Sequence, residues 1–304
     1  MSRKLYFALI MLSLIWGGSF YFFKILVADF NPLVVAFLRS TFGAITLIVL
    51  IPLFRKSFKG KIPFIPLISV GILNTVIPWT LICFSEQKMT SNLASVLNAT
   101  QPLWTMILGI LFFGIRSNRN QLIGLFIGFI GILILSDLHL SNVFSVNSLN
   151  FFAMLTATFC YGLATHITKR YLKEISMFQI SLGTLLVGSI CSGVIVLFLE
   201  EPIQILTKIS WHHIGALIGI GTFGSGIAYL LYFYLIQKGS PNFASISTYL
   251  VPVSAIFWGY ILLNENISWK LIIGLTFILM GVYITNRKMK LNIPVKSVQK
   301  ESQL

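Results

Sequence analysis

Residues 71–136 return without a gap as residues 221–286, 150 positions further on. Fifteen of the 66 aligned positions are identical. Among them are Gly71/Gly221, the pairs Gln87/Gln237 and Lys88/Lys238, Pro102/Pro252 and Gly109/Gly259. Apolar matches alone arise easily in a greasy chain; matched prolines, glycines and a Gln-Lys pair do not. A second offset of 145 carries the repeat upstream, aligning Gly17 with Gly162, Lys24 with Lys169 and Gly43 with Gly188. The chain therefore reads as a tandem duplication: a first copy over residues 1–140, a second over 145–290 and a basic tail over 291–304.

Composition places both copies in a bilayer. With 56% apolar residues, 10% charged residues and 26 Phe, the apolar runs reach the roughly 20 residues that span a hydrocarbon core. Ten spans are expected, at 5–27, 33–54, 64–86, 92–114, 120–136, 149–169, 177–199, 212–236, 243–263 and 269–286. Backbone groups in lipid must find partners within their own segment, and uninterrupted apolar runs exclude the alternation of a barrel strand, so the fold class is all-α integral membrane. Cys83, Cys160 and Cys191 all fall inside these spans, odd in number and separated, and suggest neither a disulfide framework nor a metal site. No cofactor is expected.

The formal net charge of +14 invites a nucleic-acid reading, but the basic residues sort by membrane side. Seventeen of 22, including Arg3, Arg55, Arg116, Lys169, Lys238 and Arg287, fall at the termini and on loops of one side. That side is the cytoplasmic one by the positive-inside rule, which puts both termini inside the cell membrane and leaves no nucleic-acid role. Ten spans in two copies give five per copy, an odd number, so the second copy is inverted relative to the first. Inverted repeats with a site between them are the architecture of many alternating-access transporters. A channel or a membrane-embedded sensor is the alternative. No metalloprotease, paired-aspartate or phosphate-loop motif suggests an enzyme.

The run Trp16-Gly17-Gly18-Ser19-Phe20, Arg39, the segment from Asn92 to Pro102, and Gly124 to Gly131 resemble the EamA-like family of the drug/metabolite transporter superfamily, as do Asn242 to Pro252, Glu265 and Gly274 to Gly281 in the second copy. The resemblance covers nearly the whole chain. It implies ten helices and export of amino acids or other small metabolites, with helices one, three, six and eight lining the path. One departure is that Ile115-Arg116 stands where the family often has Glu after the fourth helix, so Glu265 has no counterpart in the first copy.

Several side chains are candidates for the site. Pro102 and Pro252 fall mid-helix in the expected spans, where each would free a carbonyl, at Asn98 and Thr248, and serve as a kink or gate. Asn98, Gln101 and Trp104 would form a polar and aromatic wall, with Thr248 and Tyr249 as its counterpart. Trp16, Trp79, Tyr161, Tyr229 and Tyr232 lie inside spans rather than in interfacial belts, and would make an aromatic cavity suited to a zwitterion with an apolar side chain. Ionisable groups within a bilayer are costly and mark sites by default. Arg39 is close enough to the outer end of its span to snorkel outward or to pair with Glu86, so structural support and substrate binding both stand. His166 reads as structural, and Glu265 as a cap or interhelical tie. The glycine stripe Gly124, Gly128 and Gly131 reads as helix packing.

Overall fold

The computed structural model describes residues 3–58, 60–88, 94, 97–135, 148–199, 207–263 and 269–286. Among them every regular element is helical. The main helices are α1 (Arg3–Asp29), α2 (Pro32–Phe54), α3 (Phe64–Glu86), α4 (Gln101–Phe113), α5 (Arg119–Leu135), α6 (Ser148–Tyr171), α7 (Met177–Leu199), α8 (Trp211–Lys238), α9 (Pro241–Ser245), α10 (Ser247–Leu263) and α11 (Trp269–Asn286). Six of these, α1, α2, α3, α6, α7 and α8, are long and apolar enough to cross a membrane. The protein is a multi-pass membrane protein. The large side chains facing outward are apolar, with Phe198 85%, Ile65 80% and Leu53 78% exposed. Such a surface belongs in lipid, where it carries no hydration penalty.

Local chemistry sets the helix ends. Asn31 accepts from the Leu33 amide and Pro32 opens α2, where its missing N–H costs nothing. Ser210 and His213 form a reciprocal capping box at the start of α8. Gly114, at φ 62°, ends α4 in the left-handed conformation. Inside the bundle, hydroxyls turn back onto their own helices: Ser40 donates to the Ala36 carbonyl at 2.7 Å and Thr75 to that of Gly71 at 2.6 Å. Their polar groups are thereby satisfied without water.

Two departures from straight α-helix stand at equivalent places in the two copies. Residues 72–76 of α3 and 218–227 of α8 are π-helical, and the first range shifted by 150 lies inside the second. The helix pairing follows the repeat as well. If α1 corresponds to α6, α2 to α7, α3 to α8, α4 to α10 and α5 to α11, then α1 on α10 matches α6 on α4, α1 on α8 matches α6 on α3, and α2 on α8 matches α7 on α3. The pairs α2 with α7 and α5 with α11 map onto themselves.

The α5–α11 pair is built on the glycine stripe. A Cβ at Gly131 would lie 2.7 Å from the Gly274 carbonyl oxygen, and one at Gly128 2.6 Å from the Tyr249 ring. Small residues permit this approach of backbones. At one end of the bundle, His213 Nε2 lies 2.9 Å from Asp29 Oδ2 and joins the end of α1 to the start of α8.

The expected fourth span is interrupted after Leu97 and Asn98, which are helical. Ala99 and Thr100 form a turn and α4 begins at Gln101, so Pro102 sits in the first helical turn rather than mid-helix. There its missing N–H breaks no hydrogen bond within α4. Pro252 does lie inside α10, after a break at Ile246. The two prolines, matched in sequence, are therefore not matched in structure.

Candidate functional site

Between α1, α2, α3, α6 and α8, at the starts of α4 and α10, lies a cavity. Trp16, Ser19 and Phe23 face it from α1, Arg39 from α2, and Asn74, Trp79 and Ile82 from α3. Asn98 and Gln101 reach it at the head of α4, Met154 and Tyr161 from α6, Tyr229 and Tyr232 from α8, and Thr248 and Val251 from α10. Most of these form repeat-related couples. The 145 offset relates Trp16 to Tyr161. The 150 offset relates Trp79 to Tyr229, Ile82 to Tyr232, Asn98 to Thr248 and Gln101 to Val251, and it relates Asn74 to Gly224 in the wall of α8 behind the lining.

The π-helical turns shape the wall. In α3 the Asn74 carbonyl accepts the Tyr229 hydroxyl at 2.7 Å. In α8 the equivalent carbonyl, that of Gly224, accepts Trp16 Nε1 at 3.1 Å and an Arg39 Nη2 proton at 3.1 Å. A π turn widens the helix and lets side chains from across the cavity catch its carbonyls. The aromatic groups then brace one another. Trp16 and Tyr232 have ring centroids 5.4 Å apart and Trp79 and Tyr229 5.7 Å. The Tyr232 hydroxyl lies 3.2 Å from Thr165 Oγ1 and accepts from Gln101 Nε2 at 3.5 Å. The rings are thereby held by hydrogen bonds as well as by packing, which fixes the shape of the wall.

Arg39 does not snorkel to the outer face. It is 5% exposed, donates from Nε to Ser225 Oγ at 2.7 Å, and holds its guanidinium carbon 3.9 Å from the Trp79 ring centroid. Its contacts come from α1, α3 and the π-helical part of α8, and periodicity along α2 cannot reveal them. Glu86 ends α3, and among the described residues no ion pair joins it to Arg39.

Other candidates stand elsewhere. Trp104 packs edge-on against Phe159, with centroids 5.6 Å apart. Tyr249 donates to the Leu125 carbonyl at 3.0 Å and fills the space left by Gly128. His166, 2% exposed, contacts the Thr105 carbonyl through Nε2 at 2.6 Å and stacks on Phe113, a tie between α6 and α4. Glu265 lies outside the described residues. Sequence reasoning passed over Ser19, Phe23, Asn74, Ile82, Met154 and Val251; Ile82 and Val251 were within reach, as repeat partners of Tyr232 and Gln101.

Single cysteines at Gln101 and Tyr161, in a chain lacking Cys83, Cys160 and Cys191, should react with a small water-soluble thiol reagent, while one at Gly128 should not. Equal reaction at all three would mean that the cavity is closed to water or that α5 is not packed as described.

The family match runs over residues 3–137 and again over 149–287. The chain belongs to the EamA-like transporter family. An uncharacterized transporter of Archaeoglobus fulgidus is 26% identical over 274 residues, 90% of this chain and 95% of the relative. The uncharacterized transporter YoaV of Bacillus subtilis is 23% identical over 92% of this chain and 96% of its own length. A probable amino-acid metabolite efflux pump of Salmonella typhimurium is 24% identical over 93% and 95%. One solved crystal structure superimposes with a TM-score of 0.75 at 14% identity, covering 94% of this chain and 97% of its own, a likeness of fold. The names of the family and of these relatives point to transport.

Proposed function

We propose that the protein is a secondary transporter of ten membrane spans in two inverted five-helix repeats, exporting small metabolites such as amino acids from the cell by alternating access. The observation that carries this reading is the cavity wall, where repeat-related couples face one another. A site on the axis that relates two inverted copies can be opened to either side by rocking one copy against the other. The helix pairing supports the same axis. An aromatic wall with few charged groups suits a substrate with an apolar body, and the Salmonella relative's name agrees with an amino-acid metabolite.

A tie at one end of the bundle supports alternating access further. Lys169, at the end of α6, donates through Nζ to the Gln237 carbonyl at 2.7 Å and the Gly239 carbonyl at 3.2 Å. Gln237 answers through Nε2 to the carbonyls of Leu172 at 3.3 Å and Ile175 at 2.7 Å. Lys169 and Gln237 are the residues that the repeat copies as Lys24 and Gln87. By its surrounding basic residues this end is the cytoplasmic one, so the tie holds α6 to α8 on the inner side of the cavity.

Counterflow in proteoliposomes tests the reading. Vesicles preloaded with an unlabelled amino-acid substrate should take up labelled substrate faster than empty ones. Uptake indifferent to preloading would favour a channel, and no uptake of any small metabolite would favour a sensor. Topology is tested separately: a reporter fused after Lys290 should read cytoplasmic and one near Asp137 external. The same side for both would remove the inverted repeat.

A further inference from the structure

Arg39 is more than a brace. A guanidinium has three nitrogens, and two of Arg39's are engaged: Nε on Ser225 and Nη2 on the Gly224 carbonyl. Among the described residues no hydrogen bond engages Nη1, and Arg39 lines the cavity. Among the described residues no carboxylate stands at ion-pair distance from it, and the one ion pair recorded is His213 with Asp29. The partners that Arg39 does have are neutral: one hydroxyl, one carbonyl, and the faces of Trp79 at 3.9 Å and Phe23 at 4.9 Å.

A buried cation within a bilayer is expensive, and neutral acceptors with aromatic faces compensate it only in part. Such a group retains a strong attraction for an anion in the space before it. The geometry selects among anions. Nε and Nη2 are committed to α8, which leaves Nη1 uncommitted, and among the described residues no Lys or second Arg lines the cavity to share a phosphate or a dicarboxylate. The remaining wall is aromatic, with Trp16, Tyr161, Tyr229 and Tyr232 around the space that a planar or branched apolar body would fill. Gln101 and Asn98 add neutral polar groups only.

We propose that Arg39 is the anchor for the single carboxylate of an amphipathic organic acid, an aromatic amino acid or an aromatic monocarboxylate, whose apolar part lies among these rings. This rests on the transport reading for its physiological meaning, and on Arg39 and the cavity alone for binding. Trp79 orients the anchor: its ring, 3.9 Å from the guanidinium carbon, limits how that group can turn.

The test is binding to the purified full-length protein in detergent, by calorimetry, with phenylalanine, phenylacetate and phenethylamine. The three share a phenyl ring and differ in bearing a zwitterion, an acid or only an amine. Phenylalanine and phenylacetate should bind about ten- to a hundredfold more tightly than phenethylamine, the range expected for one charged hydrogen-bonded contact. In Arg39→Gln that preference should vanish, and in Arg39→Lys it should be weakened but kept. Should Arg39→Gln not fold, the acid-over-amine preference of the unaltered protein decides alone. Equal binding of all three probes, a preference surviving in Arg39→Gln, or binding of none of them overturns the assignment. Phenylalanine bound more tightly than phenylacetate marks a zwitterion as the ligand; the reverse marks a plain acid. Counterflow without any carboxylate preference would remove the role of Arg39 and leave transport standing. Acid binding without counterflow would do the opposite.

Discussion

Valine in place of Gly124 is expected to destroy the pairing of α5 with α11 and, with it, most of the folded protein recovered from membranes. A Cβ at position 124 would lie 2.3 Å from Thr285 Oγ1, 2.5 Å from the Thr285 amide nitrogen and 2.6 Å from the Gly281 carbonyl oxygen. Two of these neighbours are backbone atoms inside a helix and cannot move aside singly, so the helices must part along their length. The partner glycine is as constrained: a Cβ on Gly281 would meet the Gly124 carbonyl oxygen at 2.5 Å. Separation also forfeits the contacts that hold the pair, since in lipid no hydrophobic force replaces close packing. Overpacking of this kind costs about 3 kcal/mol or more. Gly215→Ala is the control, because nothing lies within 4 Å of a Cβ there. Thermal unfolding in detergent, read by monodispersity after heating, separates the two. A Gly124→Val protein melting with the Gly215→Ala protein would refute the packing described here.

Lys169→Met should open the cavity toward the cytoplasm. The lysine's two hydrogen bonds and the two returned by Gln237 join α6 and its following loop to the end of α8. Removing a charged donor from a half-buried site sacrifices about 1.5 kcal/mol, which shifts a two-state equilibrium about tenfold. A cysteine at Tyr161 should then react about ten times faster with a membrane-impermeant reagent applied from the cytoplasmic side of sealed vesicles. The same change at the repeat partner, Lys24→Met, should raise reaction from the other side. If both variants shift reaction on the same side, or neither does, these residues do not govern which face is open.

Much of this was legible in the chain. Apolar length announced the six long helices, and the offset of 150 relates the two π-helical stretches. Trp16, Trp79, Tyr161, Tyr229, Tyr232, Asn98, Gln101 and Thr248 could be nominated as aromatic or polar residues within spans, and all face one cavity. Rotation about a helix axis was not legible. Trp104 lies only three residues from Gln101, yet it turns to Phe159, because a helix apolar on every side gives no sign of which side is inward. Arg39 illustrates the same gap: its depth can be counted from the end of α2, but its direction depends on Ser225 and Gly224, nearly two hundred residues away. Pro102 was misjudged because the turn at Ala99 and Thr100 has no glycine or proline of its own to announce it.

The widened turns in α3 and α8 bear on how the chain tolerates insertion and deletion. Elsewhere in a span, losing one residue rotates everything beyond it by about 100° and turns its inward side chains toward lipid. A π turn already accommodates one residue beyond the α count. A single deletion within residues 72–76 can therefore be absorbed as ordinary α-helix, leaving Trp79 and Ile82 facing inward while withdrawing the carbonyl that holds Tyr229. Deletion scanning along α3 should accordingly find one short window where length can change without loss of the protein, and that window borders the cavity.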